Sequence, residues 1–234
     1  MAFKAVAATI LIAAAAPGAV QAAPSLSSFT VTPSTTKAGG HPSLVAAFAF
    51  AEPVTGVKQV ALHLPAGLTV HPRAIPFCAR LKLLQNLCLP RSKAGSLSVT
   101  AVAYGFELSV TRSIYNVRPL PGERVRMGVP IIGSYSHPGI AAEVPLVQRP
   151  TDGGLDLAVS GLPTEVAGVP VRFRDVKLRL RASGRVRVKS KLRTRPFLTN
   201  PRSCAPATST LEIALHEPSA PPLTSTTSFT PTGC

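Results

Sequence analysis

The sequence predicts an all-β protein: a β-sandwich, immunoglobulin-like or jelly-roll-like, of about a dozen short strands. The chain has 234 residues, of which 24 are proline and 17 are glycine. Beyond residue 22 the prolines recur about every nine residues, and between them apolar and polar side chains alternate or β-branched residues follow one another. Because 45% of the residues are hydrophobic, the chain can bury a core and extensive disorder is not expected.

The individual elements follow from this pattern. The predicted strands are 28–32, 43–50, 58–64, 96–103, 106–114, 124–131, 140–147, 155–160, 171–181, 185–195, 208–214 and 224–229. Pro130 cannot donate a ladder hydrogen bond, so its strand is expected at a sheet edge or with a bulge. One short helix is predicted within 74–87, a stretch rich in Leu and Ala.

The first 22 residues have the pattern of a secretory signal peptide. Lys4 precedes the apolar run 5–16, and Val20-Gln21-Ala22 forms a small-residue cleavage site. A membrane helix needs about 20 apolar residues, and this run stops at Pro17. We therefore expect residues 23–234 to be a single sandwich unit, secreted or envelope-associated, without a transmembrane helix. The stretch 116–124 is the best boundary if the unit is subdivided.

Export changes how the four cysteines are interpreted. Cys78, Cys88, Cys204 and Cys234 form an even set in an oxidising compartment, where disulfides persist. Three pairings can be drawn, and proximity in sequence favours Cys78–Cys88 and Cys204–Cys234, which would stabilise the fold by about 2.7 and 3.7 kcal/mol. The alternative is a zinc site, but its cysteines are usually two to four residues apart.

Positive charge is concentrated in one segment. The chain carries 25 Lys and Arg against 10 Asp and Glu, a formal charge of +15. With a turn at Ala182-Ser183-Gly184, the strand period of two predicts a ribbon over 177–195, apolar on one face and cationic on the other. A bulge is expected at Asp175-Val176. The candidate polyanion-binding residues are Lys177, Arg179, Arg181, Arg185, Arg187, Lys189, Lys191, Arg193 and Arg195.

Two interpretations of this ribbon compete. Its charge can bind an anionic envelope polymer or another anionic surface, or it can simply prevent sheets from associating edge to edge. Base-specific recognition of nucleic acid is not expected, because export removes genomic targets and the ribbon has no Asn or Gln to contact base edges. The absence of Trp leaves few rings on which sugars or bases could stack.

The sequence offers no recognisable catalytic, metal or cofactor motif. Five histidines, His41, His63, His71, His137 and His216, lack metal-ligand spacing. Ser136 lacks the flanking glycines of a hydrolase elbow, and neither a dinucleotide-binding nor a phosphate-binding glycine loop occurs. A hydrolase would therefore need a site assembled from dispersed residues, such as two of the acids.

Several segments resemble a domain of uncharacterised secreted β-rich proteins of high-GC Gram-positive bacteria. They are 29–44 (FTVTPSTTKAGGHPSL), 62–68 (LHLPAGL), 114–123 (IYNVRPLPGE), 160–163 (SGLP), 196–204 (PFLTNPRSC) and 232–234 (TGC). The resemblance implies export, a β-rich fold and the same cysteine pairing, and it assigns no activity. Ser43 and Leu89 depart from the family pattern, and the arginine-rich ribbon is peculiar to this chain.

These observations predict a non-enzymatic structural or adhesive module of the cell envelope or extracellular space, without a cofactor or bound metal. The first alternative is a polyanion-binding protein that uses the basic ribbon, and the second is a secreted hydrolase. The sequence does not define a ligand or an oligomeric state.

Overall fold

The computed structural model describes residues 23–132, 139–166, 168–188, 191–217 and 221–234. It contains one five-residue helix and seventeen strands. The helix is α1 (Arg80–Leu84), and the strands are β1 (Leu26–Pro33), β2 (Leu44–Val54), β3 (Val57–His63), β4 (Thr69–Val70), β5 (Lys93–Ala103), β6 (Phe106–Val117), β7 (Val125–Ile132), β8 (Ile140–Gln148), β9 (Leu155–Ser160), β10 (Glu165–Val166), β11 (Val169–Pro170), β12 (Arg172–Leu180), β13 (Ser183–Val188), β14 (Lys191–Pro196), β15 (Leu198–Thr199), β16 (Ala207–Leu215) and β17 (Leu223–Phe229).

Eleven of these strands form one antiparallel sheet. Their order is β1-β2-β12-β5-β6-β7-β8-β9-β3-β16-β17. Strands that precede and strands that follow the possible boundary at 116–124 therefore belong to the same sheet. The all-β prediction is confirmed, as is a short helix within 74–87. The bulges are confirmed too, because the register shifts between Phe173 and Asp175 and between Pro130 and Ile132.

The sheet curls until its two edge strands approach each other. Next to these strands, the Ala38 N–H donates to the Thr232 carbonyl oxygen (2.8 Å) and the Thr232 N–H to that of Thr36 (2.9 Å). Opposite parts of the same sheet therefore face one another across a shared core, which is the layering expected of a sandwich. Alternation places one side of each strand inside, as with Leu44, Ala46, Phe48 and Phe50 of β2.

One end of this curled sheet is filled by connecting segments, and we call it the capped end. It is the end at which Leu180 of β12 pairs with Gly95 of β5 and Leu44 of β2. Leu68, Ile75 and Phe197 from these segments are completely buried there. Their burial closes the core at this end.

Polar contacts and both disulfides reinforce the capped end. The Asn116 amide donates to the carbonyl oxygens of Pro72 (2.9 Å) and Ile75 (2.6 Å). The predicted cysteine pairing is confirmed: Cys78 is bonded to Cys88 and Cys204 to Cys234. The first bridge encloses α1, and the second ties the C-terminus to the segment that precedes β16.

The opposite end, which we call the open end, is built from short connections between strands. They include the turns between β2 and β3 and between β5 and β6. Large apolar side chains remain accessible there, among them Phe106, which is 72% exposed, and Ile140, which is 63% exposed. The two ends of one sheet therefore differ in how completely the core is covered.

Candidate functional site

The basic segment folds differently from the predicted ribbon. β12 lies inside the main sheet, paired on one side with β2 and on the other with β5. Both of its edges are therefore occupied, and it cannot pair with the basic residues that follow. Instead, β13 and β14 pair with each other as a separate two-stranded sheet, which we call the basic hairpin (residues 183–196).

The predicted one-sided distribution of charge is also wrong. In the basic hairpin Arg185 pairs with Thr194 and Arg187 with Leu192, whereas Arg193 pairs with Val186. Directly opposed residues of an antiparallel pair point to the same face. Odd-numbered cations of β13 therefore lie on one face, and the odd-numbered cations of β14, Lys191, Arg193 and Arg195, lie on the other. The hairpin presents positive charge on both faces.

Eight of the nine predicted residues thus occupy two separate places. Lys177 and Arg179 lie on the outer face of β12, and Arg181 follows that strand and donates to the Lys93 carbonyl oxygen (2.9 Å). Arg185, Arg187, Lys191, Arg193 and Arg195 are exposed on the hairpin. Lys189 lies outside the described residues.

The base of the hairpin is fixed to the capped end. Gly184 lies so close to the backbone of Ala74 that a Cβ at this position would collide with the Ala74 carbonyl oxygen. The Phe197 N–H donates to the Ala182 carbonyl oxygen (2.8 Å), and the buried Phe197 ring follows directly after β14. The charged strands are therefore held in a defined position while their side chains extend into solvent.

Six of the ten acidic side chains form ion pairs in the described structure, away from the basic hairpin. In the described part of the chain the ion pairs join His63 to Asp156 and Glu212, Arg80 and Arg126 to Glu143, Arg126 to Glu123, Arg149 to Asp152 and Asp156, and Arg174 to Glu107. None of these ion pairs includes a cation of the basic hairpin. Its charges are left to repel one another or to bind an external anion.

Two carboxylates with lowered pKa values are held by neighbouring arginines. A hydrogen bond from Arg126 lowers the pKa of Glu123, and one from Arg149 lowers the pKa of Asp152. Arg149 also donates to the Leu64 carbonyl oxygen (2.8 Å). These carboxylates are paired with structural arginines, so their shifts report on the fold rather than on a reactive centre.

One histidine has the partner expected of a catalytic base. His63 Nδ1 lies 2.8 Å from Asp156 Oδ1, but its Nε2 faces the Glu212 carboxylate at 3.9 Å. A triad needs a hydroxyl or thiol in that second position, so this arrangement lacks the nucleophile of a triad. Within the described ranges no group of three His, Cys, Asp or Glu residues could hold a metal ion. Ser136 and His137 lie outside the described residues.

Comparison with known proteins adds no assignment. No protein-family model, curated protein or solved structure matches this chain. No helix among the residues given above is long and apolar enough to cross a membrane.

Proposed function

We propose that this protein is an exported, non-enzymatic adhesive module that attaches to an anionic polymer of the cell envelope through the basic hairpin. The observation that carries the proposal is the hairpin itself, which exposes Arg185, Arg187, Lys191, Arg193 and Arg195 without an acidic partner in the described structure. Export is supported by the pattern of residues 1–22 and by two disulfides, which are typical of oxidising compartments.

The two-faced distribution of charge favours a polymer over a planar surface. A flat membrane could contact only one face of the hairpin at a time, whereas flexible anionic chains can contact both. The cations continue at the hairpin base, where Lys93, Arg179 and Arg181 line a shallow depression. A phosphate-bearing polymer could therefore follow the hairpin onto the body, releasing its counterions as it binds.

The test is binding of residues 23–234 to inorganic polyphosphate and to isolated Gram-positive envelope across a salt gradient. The hairpin variant carries Arg185→Ser, Arg187→Ser, Lys191→Ser and Arg193→Ser. Since four cations are removed, the slope of log K against log salt should fall by roughly 3.

The matched control carries Lys58→Ser, Lys82→Ser, Arg91→Ser and Arg118→Ser, four exposed cations of the body. It has the same net charge as the hairpin variant. If both variants lose equal affinity, only net charge matters and the hairpin is not the site. Binding by the unmodified chain that does not change with salt would overturn the proposal altogether.

A further inference from the structure

The core of the curled sheet contains an apolar cavity. It has a volume of about 130 Å³, and every residue that lines it is apolar, including Phe29, Phe48, Phe50 and Phe173. A water molecule needs two to four polar partners to be stable in a cavity, whereas a cavity of about 150 Å³ lined by Leu, Ile and Phe binds benzene. The interior is therefore suited to a hydrocarbon group.

The sheet is forked next to this cavity. β6 pairs with β5 from Phe106 to Tyr115, but it pairs with β7 only where Tyr115–Val117 meet Arg126–Gly128. Beyond these pairs the ladder between β6 and β7 stops, and the 106–114 part of β6 has no second paired strand among the described residues. The fork lies beside Ile114 and Val129, which both line the cavity.

Exposed apolar side chains line both sides of the fork. Phe106 is 72%, Leu108 is 52% and Val110 is 46% exposed on β6, and Ile131 and Ile140 are exposed on β7 and β8. Val110 pairs with the cavity-lining Val99 and therefore points to the same face. Apolar side chains of β6 therefore extend from the exposed Phe106 to Val110, beside the cavity-lining Val99. Such patches on a monomer commonly mark binding sites.

One cation lies where the fork begins. Arg112 is exposed and pairs in register with Leu97, which lines the cavity. It therefore shares the inner face of β6 with Val110 and Ile114. No hydrogen bond or ion pair of Arg112 occurs within the described part of the chain. Glu107 of the same strand points to the opposite face and is bonded to Arg174 (2.6 Å), so Arg112 is available to an external anion.

We propose that the cavity and the fork bind an aliphatic carboxylate, the anion of a fatty acid. Its chain enters the cavity between β6 and β7, and its carboxylate is bound by the Arg112 guanidinium. The apolar lining recognises the chain, and the guanidinium offers paired donors to the two carboxylate oxygens. Because the cavity has room for only a few carbons, a longer chain also covers the exposed side chains of the fork.

The experiment is calorimetric titration of residues 23–234 with decanoate below its aggregation concentration. Decan-1-ol and acetate serve as comparison ligands. Decanoate should bind, decanol should bind more weakly, and acetate should not bind. Arg112→Ser should weaken the binding of decanoate about tenfold, as expected for a lost charged hydrogen bond. The affinity for decanol should stay unchanged. Arg91→Ser removes another exposed arginine and should leave both affinities as they are.

A second variant tests the cavity independently of the charge. Ala46 lines the cavity and is buried, so Ala46→Leu should fill the space and abolish binding of decanoate and decanol alike. If Ala46→Leu does not fold, the smaller change Ala46→Val takes its place. It should weaken the binding of both decanoate and decanol. The hairpin variant should bind decanoate normally, which separates this site from polymer binding.

The titrations can contradict the proposed fatty-acid site in several ways. No binding of decanoate to the unmodified chain, or equal binding by the variant with a filled cavity, overturns the proposal. Unchanged decanoate affinity in Arg112→Ser overturns the assigned role of that residue. Phosphatidylglycerol vesicles that bind through Phe106 and Leu108, without any decanoate binding, would show that the fork docks on membranes instead.

Discussion

The capped end and the open end belong to one continuous sheet, yet they differ in packing, crosslinks and exposure. At the capped end, Phe197 and Leu68 are completely buried and two disulfides hold the connecting segments. At the open end, short turns leave Phe106 and Ile140 exposed beside a cavity. Closely packed interiors confer stability, whereas incomplete packing leaves room for a ligand. The comparison assigns stability to the capped end and binding of the aliphatic ligand to the open end.

The largest expected effect compares two phenylalanines. Phe197→Ala removes a completely buried ring at the capped end and should lower the free energy of unfolding by about 3–5 kcal/mol. Phe173→Ala removes a 9% exposed ring that already borders the cavity, and should cost less than about 3 kcal/mol because fewer contacts are lost. Urea unfolding followed by circular dichroism measures both.

The dependence of unfolding free energy on urea serves as the control for this pair. An unchanged slope shows that a lower midpoint reflects stability alone. Equal losses for Phe197→Ala and Phe173→Ala would mean that the two ends are packed equally well, which would remove the basis of the comparison.

The two disulfides should rank by the length of chain they enclose. Cys204 and Cys234 are 30 residues apart and Cys78 and Cys88 are 10 apart. Replacing Cys204 and Cys234 by serine should lower the free energy of unfolding by about 3.7 kcal/mol, and replacing Cys78 and Cys88 should lower it by about 2.7 kcal/mol. The difference arises because the longer loop gains more entropy on unfolding. Thermal unfolding without reductant gives the order. The reverse order would show that the Cys78–Cys88 bridge does more than restrict the unfolded chain.

Local patterns in the sequence were sufficient to predict the strands and the crosslinks. Segments such as 43–50 and 96–103 alternate with period two, and they form β2 and β5 with slightly longer bounds. Pro130 and Asp175 disturb this alternation, and each lies at a register shift. Proximity alone identified the bonded cysteines. All these features depend on neighbours that are close in sequence.

The basic hairpin was predicted less well because the alternation of charge along the chain does not reveal its register. Ala182-Ser183-Gly184 has turn chemistry, but Gly184 is required for close approach to Ala74. In the described hairpin Val188 of β13 pairs with Lys191 of β14. This register pairs odd-numbered with even-numbered positions and places the cations on both faces.

The cavity and the fork could not be predicted from local patterns at all. They depend on β12 entering between β2 and β5, on β3 pairing with β16, and on β7 leaving β6 after a few pairs. These pairings join segments far apart in sequence. Phe106, Leu108 and Val110 have the alternation of an ordinary strand. Only the lack of a second paired strand among the described residues distinguishes them as an exposed surface.

The smallest expected effect concerns pH at the capped end. Partial burial lowers the pKa of His71 from its ordinary 6.5, and the charges of Arg124 and His41 lower it further. The unfolded chain therefore binds more protons between the folded pKa and 6.5, so stability should fall as the pH drops from about 7 to about 5. His71→Gln should remove this loss and keep a partner for Thr199, whose hydroxyl lies 3.2 Å from His71 Nε2.

A second, more acidic window provides the internal control for this prediction. The pKa of Glu123 is lowered from 4.5 by Arg126, so its contribution to stability is present above 4.5 and is lost as the pH falls through its lower folded value. This loss should persist in His71→Gln, because the two groups are separate. If His71→Gln keeps the full decline between about pH 7 and about pH 5, another group at the capped end titrates in that range.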